Sequence, residues 1–291
     1  MINNSGNKFS YYIKLSKLKI LLPVSLTGLT GYFVFDPHFT IRLLMVTLGI
    51  LIVAISASVL NQIQESDLDS KMNRTLHRPI PSGKISKTEA IIFFLANFIT
   101  GTTLLYMAGN FQAAVIGLVT IFWYNVIYTY LKRKTVFAVL PGAISGALPP
   151  LIGYVAAGGG LWDRQIVFLE FLFFTGQIPH FWLLMLKYGE DYKQAGIPSL
   201  SELLGDSQIS RLTFTWIVFS IVGALFMCYF EIIQSNIMAG VLLTASVIVI
   251  WQFSDLIRFP GNKKNFKRYF ILLNSYFILV LILLISDRLF M

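Results

Sequence analysis

Charged residues are scarce in this sequence of 291 residues, because Asp, Glu, Lys and Arg together make up only 13% of it. Soluble globular domains contain about 25% of these residues, so the composition excludes an ordinary water-soluble domain. Cysteine is rarer still, with Cys228 as the single example. One cysteine excludes an intrachain disulfide and a cysteine-rich metal site. These absences favour a membrane protein.

Apolar residues, in contrast, fill 56% of the chain. They recur in runs of about 20 residues, the length of a membrane-spanning helix. The sequence therefore predicts an all-α polytopic bundle with nine transmembrane helices around a central cavity. No change in composition marks a linker, so residues 1–291 are expected to form a single domain. The predicted spans are 20–35, 41–60, 90–108, 113–131, 136–156, 166–186, 212–230, 237–256 and 269–285.

The positive charge of the chain, formally +9, is distributed unevenly between the two sides of the predicted bundle. One side receives most Lys and Arg residues, and the other receives only Arg42, Arg164 and Arg288. The positive-inside rule then places the N-terminus and the long polar loops in the cytoplasm. We expect a multi-pass protein of the plasma or inner membrane, with no nucleic-acid partner.

The most informative stretch follows the second predicted span. Asn61, Glu65 and Asp69 are spaced by four residues, so a continuing helix places them on one face. Carboxylates on one stripe repel each other in a medium of low dielectric constant unless a cation joins them. Several basic residues follow, which indicates a hard divalent metal that bridges to a phosphate-bearing ligand. These residues are Lys71, Arg74, Arg78 and Lys84.

This stretch also has an interpretation without a metal. Glu65 and Asp69 could form a solvated helix end that is capped by Lys71 and Arg74. Asp67 lies off the shared face, and we expect it to face solvent or to support the ligands without binding the metal.

A second polar segment follows the sixth predicted span. Lys187 and Asp191 are one helical turn apart, and so are Tyr188 and Tyr192. A carboxylate here, together with those of the first segment, could clamp Mg²⁺. The alternative is that Glu190 and Asp191 are solvated charges paired with neighbouring lysines.

These segments resemble the UbiA-type intramembrane prenyltransferases, and most closely their protoheme IX farnesyltransferase branch. Glu65 stands where many members have Asp, Ala138 where the heme branch usually has Asn, and Lys17-Leu18-Lys19 where it has Lys-Pro-Arg. The matching residues are Asn61, Glu65, Asp69, Met72, Arg74, Thr75, Arg78, Pro79, Pro81, Gly83 and Ile85, then Tyr128, Thr129, Leu131, Lys132, Arg133 and Thr135, then Gly146, Ala147, Pro149, Pro150, Leu151, Ile152 and Gly153, and finally Pro179, His180, Phe181, Trp182, Glu190, Asp191, Tyr192, Ala195, Gly196, Ile197 and Pro198.

The resemblance implies transfer of a farnesyl group from farnesyl diphosphate to a vinyl group of heme B, with addition of water, in a lipid bilayer. It also implies a heme A synthase or the assembly machinery of a terminal oxidase as partners. It assigns Mg²⁺ to Glu65, Asp69 and Asp191, with Asn61 orienting these catalytic residues. The diphosphate-binding residues that it implies are Arg74, Arg78, Lys132, Arg133 and Lys193. Aromatic candidates for stabilising the allylic cation are Tyr124, Tyr128 and Trp182, and the candidates for heme binding are His180, Tyr128 and Trp182.

Several alternatives stay open at the level of sequence. His180 could bind heme, or it could pack between helices and bond to a backbone carbonyl. The acceptor could be a quinone-precursor ring or a chlorin instead of heme. A transporter is disfavoured because the carboxylates cluster at one mouth of the predicted bundle. A heme-binding assembly factor without catalysis is disfavoured by the joint presence of Glu65, Asp69 and Arg78.

Overall fold

A computed structural model describes residues 8–260 and 265–290, and every regular element within these ranges is a helix. The α-helices are α1 (Lys8–Leu15), α2 (Leu18–Phe35), α3 (Ile41–Gln64), α4 (Ser66–Asp69), α5 (Lys87–Leu104), α6 (Phe111–Phe122), α7 (Thr129–Leu131), α8 (Val139–Ala157), α9 (Arg164–Gln194), α10 (Leu200–Leu203), α11 (Asp206–Tyr229), α12 (Asn236–Phe253), α13 (Asp255–Arg258) and α14 (Phe266–Leu289). The π-helical stretches Leu105–Gly109 and Trp123–Tyr128 extend α5 and α6, and the 3₁₀ turn Val136–Ala138 precedes α8.

Nine helical stretches in the described part of the chain are long and apolar enough to cross a membrane. The prediction of an all-helical protein with nine spans is therefore confirmed. Their outward faces carry large apolar side chains such as Ile92, which is 63% exposed, as expected where lipid is the solvent. The stretches are Leu18–Phe35, Ile41–Gln64, Lys87–Gly109, Phe111–Leu131, Val136–Ala157, Arg164–Gln194, Asp206–Tyr229, Asn236–Arg258 and Phe266–Leu289.

Two predicted span boundaries are wrong by more than a few residues. The sixth span was expected to end at residue 186, but α9 continues to Gln194, and α11 begins at Asp206 instead of residue 212. The predicted ends followed the loss of hydropathy, whereas a helix continues through polar residues until the backbone stops it. Gly196 stops α9 with a left-handed φ of 68°, and the N–H of Ile197 bonds to the carbonyl of Tyr192.

Close packing of α2 against α8 depends on glycine. A Cβ atom added to Gly31 would overlap the carbonyl of Pro150, and one added to Gly153 would overlap the carbonyl of Gly28. Small residues let two membrane helices approach at backbone distance. This contact fixes α8 next to α2.

We call the end of the bundle where α3 and α9 finish and α5 begins the polar end. Here α1 docks through an ion pair between Lys8 and Glu89, and Glu89 also forms a capping box with Ser86 at the start of α5. At the opposite end, which we call the far end, Arg42 donates hydrogen bonds to the carbonyls of Ala108, Gly109 and Ala156. These bonds tie the start of α3 to the ends of two other spans.

Candidate active site

The predicted acidic stripe exists, and it is buried. Asn61, Glu65 and Asp69 are 4%, 3% and 0% exposed. The N–H of Glu65 bonds to the carbonyl of Asn61 at 2.9 Å, and the N–H of Asp69 bonds to the carbonyl of Glu65 at 2.8 Å. Helical hydrogen bonding thus continues across the break between α3 and α4, and the three side chains share a face as expected.

Each buried carboxylate of the stripe is held by one cation. Arg78 Nη1 donates to both carboxylate oxygens of Asp69, at 2.8 and 2.7 Å. Lys132 Nζ donates to both oxygens of Glu65, at 3.1 and 3.0 Å. The interpretation of a solvated helix end capped by Lys71 and Arg74 is therefore wrong, since both carboxylates are buried and their partners come from farther along the chain.

The segment after α4 folds back around Asp69. Thr75 Oγ1 donates to the backbone carbonyl of Asp69 at 2.9 Å, and the next turn brings Arg78 to its carboxylate. Gly83, with a φ of 70°, then reverses the chain towards α5. The motif Arg-Thr-x-x-Arg-Pro thus supplies hydrogen-bond donors to both the backbone carbonyl and the carboxylate of Asp69.

Asp67 behaves as expected for a residue off the stripe. Its side chain is 59% exposed, and its nearest cation is Arg133, at 3.4 Å. Arg133 Nη2 also donates to the backbone carbonyl of Gln64 at 2.6 Å. Arg133 is therefore engaged with the backbone at the end of α3 as well as with an exposed carboxylate.

The second polar segment lies against the first. The guanidinium carbon of Arg74 lies 4.9 Å from the ring centre of Tyr188 and 5.9 Å from that of Tyr192. Lys132 Nζ lies 5.9 Å from the same Tyr192 ring. A small apolar cluster also joins the two segments, and it consists of Met72, Ala195 and Ile197. The last turns of α9 thus cover the first polar segment.

Asp191 occupies one of these last turns and is partly buried, whereas Lys193 is exposed. Among residues 8–260 and 265–290, no three Asp, Glu, His or Cys side chains are close enough together to surround one ion. The shared metal set of Glu65, Asp69 and Asp191 therefore stays a prediction. What the fold provides is two acidic segments at the same end of the bundle.

Lys17 is a site residue that sequence reasoning did not identify. It lies between α1 and α2 with a left-handed φ of 48°, and Gln62 Nε2 fixes this turn by donating to the carbonyl of Leu15 at 2.8 Å. Burial, and secondarily the positive charge of Arg78, lower the pKa of Lys17 to about 7, while Asp69 acts in the opposite direction. Its only sequence signal was the Lys-Leu-Lys tripeptide.

Asn125 is a second residue that the sequence did not reveal. It lies in the π-helical stretch Trp123–Tyr128, and its Nδ2 donates to Gln64 Oε1 at 3.2 Å. Its Oδ1 is buried and has no hydrogen-bond partner. One turn farther on, Thr129 Oγ1 accepts a bond of 3.1 Å from Asn61. This polar contact between α3 and the π-helical stretch aligns the beginning of the acidic stripe, and π-helical bulges are frequent at functional sites.

An aromatic cavity adjoins the charged groups. Tyr124 stacks on Tyr128 with ring centres 5.4 Å apart, and Phe181 lies 6.2 Å from Tyr128. The cavity has a volume of about 40 Å³, and its lining includes Tyr128, Phe181 and Trp182. Of the three predicted heme-binding residues, Tyr128 and Trp182 therefore share one cavity.

His180 does not share it. Its ring centre lies 4.5 Å from that of Phe270 on α14, and the residue is absent from the lining of the cavity in the described part of the chain. The packing interpretation of His180 agrees with this contact.

Comparison with known proteins now identifies the family. The model of the UbiA prenyltransferase family matches residues 21–277. The chain belongs to this family. The family resemblance, drawn from the two polar segments and from the stretches that begin at Tyr128 and Gly146, is thereby confirmed.

Curated relatives carry one name. Proteins named protoheme IX farnesyltransferase include one from Geobacter sulfurreducens, 45% identical over 52% of this chain and 55% of that protein. One from Nitratidesulfovibrio vulgaris is 36% identical over 69% of this chain and 70% of that protein. One from Trichodesmium erythraeum is 31% identical over 99% of this chain and 88% of that protein.

Solved structures share the fold. The structure described in a study of digeranylgeranylglyceryl phosphate synthase has a TM-score of 0.77 at 20% identity, over 98% of this chain and 99% of that one. A UbiA homologue from Archaeoglobus fulgidus, bound to GPP and Mg²⁺, has a TM-score of 0.72 at 15% identity, over 96% of this chain and 98% of that one. At these identities, the likeness shows a common architecture over nearly the whole chain.

Proposed function

We propose that this protein is a protoheme IX farnesyltransferase, which converts heme B, farnesyl diphosphate and water into heme O and diphosphate. The observation that carries the proposal is the buried pairing of Asp69 with Arg78 and of Glu65 with Lys132 beside an aromatic cavity. The relatives of the same name, 31 to 45% identical, support heme as the acceptor.

The donor set at the polar end suits a hard divalent cation. Glu65, Asp69 and Asp191 would hold Mg²⁺ through carboxylate oxygens, with the amide of Asn61 orienting them, and Mg²⁺ combines such oxygens with those of a substrate phosphate. When bound, the ion supplies positive charge that polarises the diphosphate. The cations that now neutralise Glu65 and Asp69 are well placed to face that anion.

The basic residues stabilise the departing anion. When the C1–O bond of farnesyl diphosphate breaks, its electron pair leaves with diphosphate, and fixed positive charge at that point lowers the barrier. The terminal vinyl carbon of heme bonds to the allylic carbon, water captures the resulting cation, and a proton is released. The residues that would contact the diphosphate are Arg74, Arg78, Lys132, Arg133, Lys193 and Lys17.

The aromatic wall protects the allylic cation from water. Ring faces attract cations, and the stacked pair of Tyr124 and Tyr128 lies next to the charged groups. A site with little water also avoids hydrolysis of the intermediate. Because the polar end carries most Lys and Arg, we place it in the cytoplasm and the protein in the plasma or inner membrane.

A product assay tests the proposal. Purified protein is incubated with heme B, farnesyl diphosphate and Mg²⁺, and the molecular mass of the extracted heme is measured by mass spectrometry. We expect a mass gain of one farnesyl group plus one hydroxyl, lost with a chelator or with Asp69→Ala. Asp67→Ala is the matched control and keeps the product, since Asp67 is exposed. Unchanged heme, with prenylation of an added phenol, would identify the acceptor as a quinone precursor instead.

A further inference from the structure

A chain of hydrogen bonds connects the first residue of the acidic stripe with the backbone of the π-helical stretch. Thr129 is 2% exposed, and its Oγ1 donates to the backbone carbonyl of Tyr124 at 2.9 Å. Asn61 Nδ2 donates to the same Oγ1 at 3.1 Å. The chain therefore runs from the amide of Asn61, through the hydroxyl of Thr129, to a backbone oxygen.

The π-helical stretch Trp123–Tyr128 makes this chain possible. A threonine in an α-helix can bond through its hydroxyl to the carbonyl three or four residues earlier. Here the N–H and the hydroxyl of Thr129 both bond to the carbonyl of Tyr124, five residues earlier. The carbonyl of Asn125, four residues earlier, accepts instead from Gln64 Nε2 at 3.2 Å. Asn61 and Gln64 of α3 are thus both bonded to this irregular stretch.

The directions of these bonds determine which atom of the Asn61 amide faces Thr129. A hydroxyl has a single hydrogen, and that of Thr129 is donated to Tyr124. Its oxygen can only accept from another side chain, so the amide must turn its NH₂ group towards Thr129 and its oxygen away from it. Within residues 8–260 and 265–290, Asn61 Oδ1 takes part in no hydrogen bond. This oxygen is therefore available to a ligand of the acidic stripe.

We propose that Thr129 is a positioning residue of the metal and diphosphate site, because it keeps the oxygen of the Asn61 amide, and not the NH₂ group, directed to the cation. Mg²⁺ prefers oxygen ligands, whereas an NH₂ group in the same place would turn positively polarised hydrogens towards the ion. Hydrogen-bond partners that orient metal-binding side chains typically contribute 10- to 100-fold to metal affinity. The inference rests on the proposed function, because it requires a divalent cation beside the acidic stripe.

The Mg²⁺ requirement for binding of farnesyl diphosphate tests this role without heme and without turnover. Labelled farnesyl diphosphate is held at a fixed low concentration, and Mg²⁺ is titrated to half-maximal binding. Thr129→Val keeps the shape of the side chain and removes the hydroxyl, so we expect the Mg²⁺ concentration at half-maximal binding to rise about tenfold. Thr129→Ser retains the hydroxyl and should bind like the wild type. Thr129→Ala makes the same comparison as valine without adding a buried methyl group.

Thr120→Val is the matched control, since it removes from α6 a hydroxyl that donates to the carbonyl of Ile116 at 2.8 Å. It should leave the Mg²⁺ requirement unchanged. An Asn61→Ala background separates positioning from packing. If Thr129 acts through the amide, Thr129→Val should cause no further rise in that background.

Three results overturn the inference: an unchanged Mg²⁺ requirement in Thr129→Val and Thr129→Ala, an equal rise in Thr129→Ser, or a rise of the same size in the Asn61→Ala background. The wild type separates this failure from failure of the proposed function. Mg²⁺-dependent binding that is insensitive to Thr129 refutes only the positioning role. Wild-type binding of farnesyl diphosphate that needs no divalent cation refutes the proposed metal site itself.

Discussion

Asp69 and Arg78 form the pair on which the site depends most. The carboxylate side chain is 1% exposed and the arginine side chain 26% exposed, so the pair is largely withdrawn from water. A buried ion pair contributes little net stability, but removal of one partner leaves an uncompensated charge. Arg78 therefore compensates the buried negative charge of Asp69 until a more highly charged cation binds the carboxylate.

Replacement of Arg78 by Ala should destabilise the protein by about 3 to 5 kcal/mol, because Asp69 then stays buried without a partner. Thermal unfolding of the purified protein in chelator measures this loss, and the double variant Arg78→Ala with Asp69→Asn should recover part of it. Asp67→Asn is the control, and its exposed ion pair should cost less than about 1 kcal/mol. Equal melting temperatures for Arg78→Ala and the wild type would refute a buried charge at Asp69.

Lys17 predicts how stability depends on pH. Its pKa is about 7 in the fold and 10.5 in the unfolded chain, because burial disfavours the charged form. Between these values the unfolded state binds more protons, so this residue makes stability rise with pH. Below pH 7 the burial penalty is complete and constant.

Lys17→Gln should therefore flatten the rise of melting temperature between pH 7 and pH 10.5. The exposed Lys19→Gln should leave the slope of the wild type unchanged. A slope that persists in Lys17→Gln would show that another group causes it.

Sequence alone revealed the residues whose spacing carries a chemical pattern, and it missed those that depend on folding. Glu65 and Asp69 were predictable because a period of four on a helix is a local property. Lys17 and Asn125 were not, since one reaches the site through a left-handed turn and the other through a π-helical stretch. Both features are set by contacts with α3 that are remote in sequence.

At the scale of helices, hydropathy located every span but not every end. The nine apolar runs were recognisable because membrane crossing demands length and apolar composition. The end of α9 was missed because its last two turns are polar and remain helical up to Gly196. These turns carry Tyr188 and Tyr192, so the missed boundary lies within the site itself.

Glycine at the crossing of α2 and α8 gives a prediction for these elements. Gly153→Ala should push the two helices apart, since its new Cβ would overlap the carbonyl of Gly28. We expect a loss of melting temperature together with lower farnesyl transfer, because α8 carries part of the wall beside Tyr128. Gly240→Ala meets open space and is the matched control. A Gly153→Ala protein as stable and active as Gly240→Ala would show that the crossing tolerates a side chain.

At the scale of the whole molecule, the two polar segments predicted that the candidate site lies at one end of the bundle. The polar end gathers the acidic stripe, its cations and the last turns of α9, as the two polar segments suggested. The pairing of particular cations with particular carboxylates was beyond sequence, because any of several lysines and arginines could satisfy the same charge. The pairing of Lys132 with Glu65 depends on how α6 and α3 pack together, which the sequence does not specify.

Orientation in the membrane is testable with one engineered cysteine at each end. In a Cys228→Ser background, Lys84→Cys lies at the polar end and Trp162→Cys at the far end, and both positions are exposed. In sealed right-side-out vesicles, an impermeant maleimide should label Trp162→Cys and spare Lys84→Cys, with the opposite result in inverted vesicles. Labelling of Lys84→Cys from outside would reverse the proposed orientation.

We propose that two acidic segments, distant in sequence, together bind one metal-bound diphosphate. Equilibrium binding of farnesyl diphosphate with Mg²⁺, in the absence of heme, is measured for the wild type, Asp69→Asn, Asp191→Asn and Asp67→Asn. We expect a Kd at least about tenfold higher for Asp69→Asn and for Asp191→Asn, and an unchanged Kd for Asp67→Asn. A Kd of Asp191→Asn equal to that of the wild type would refute a diphosphate site shared by both segments.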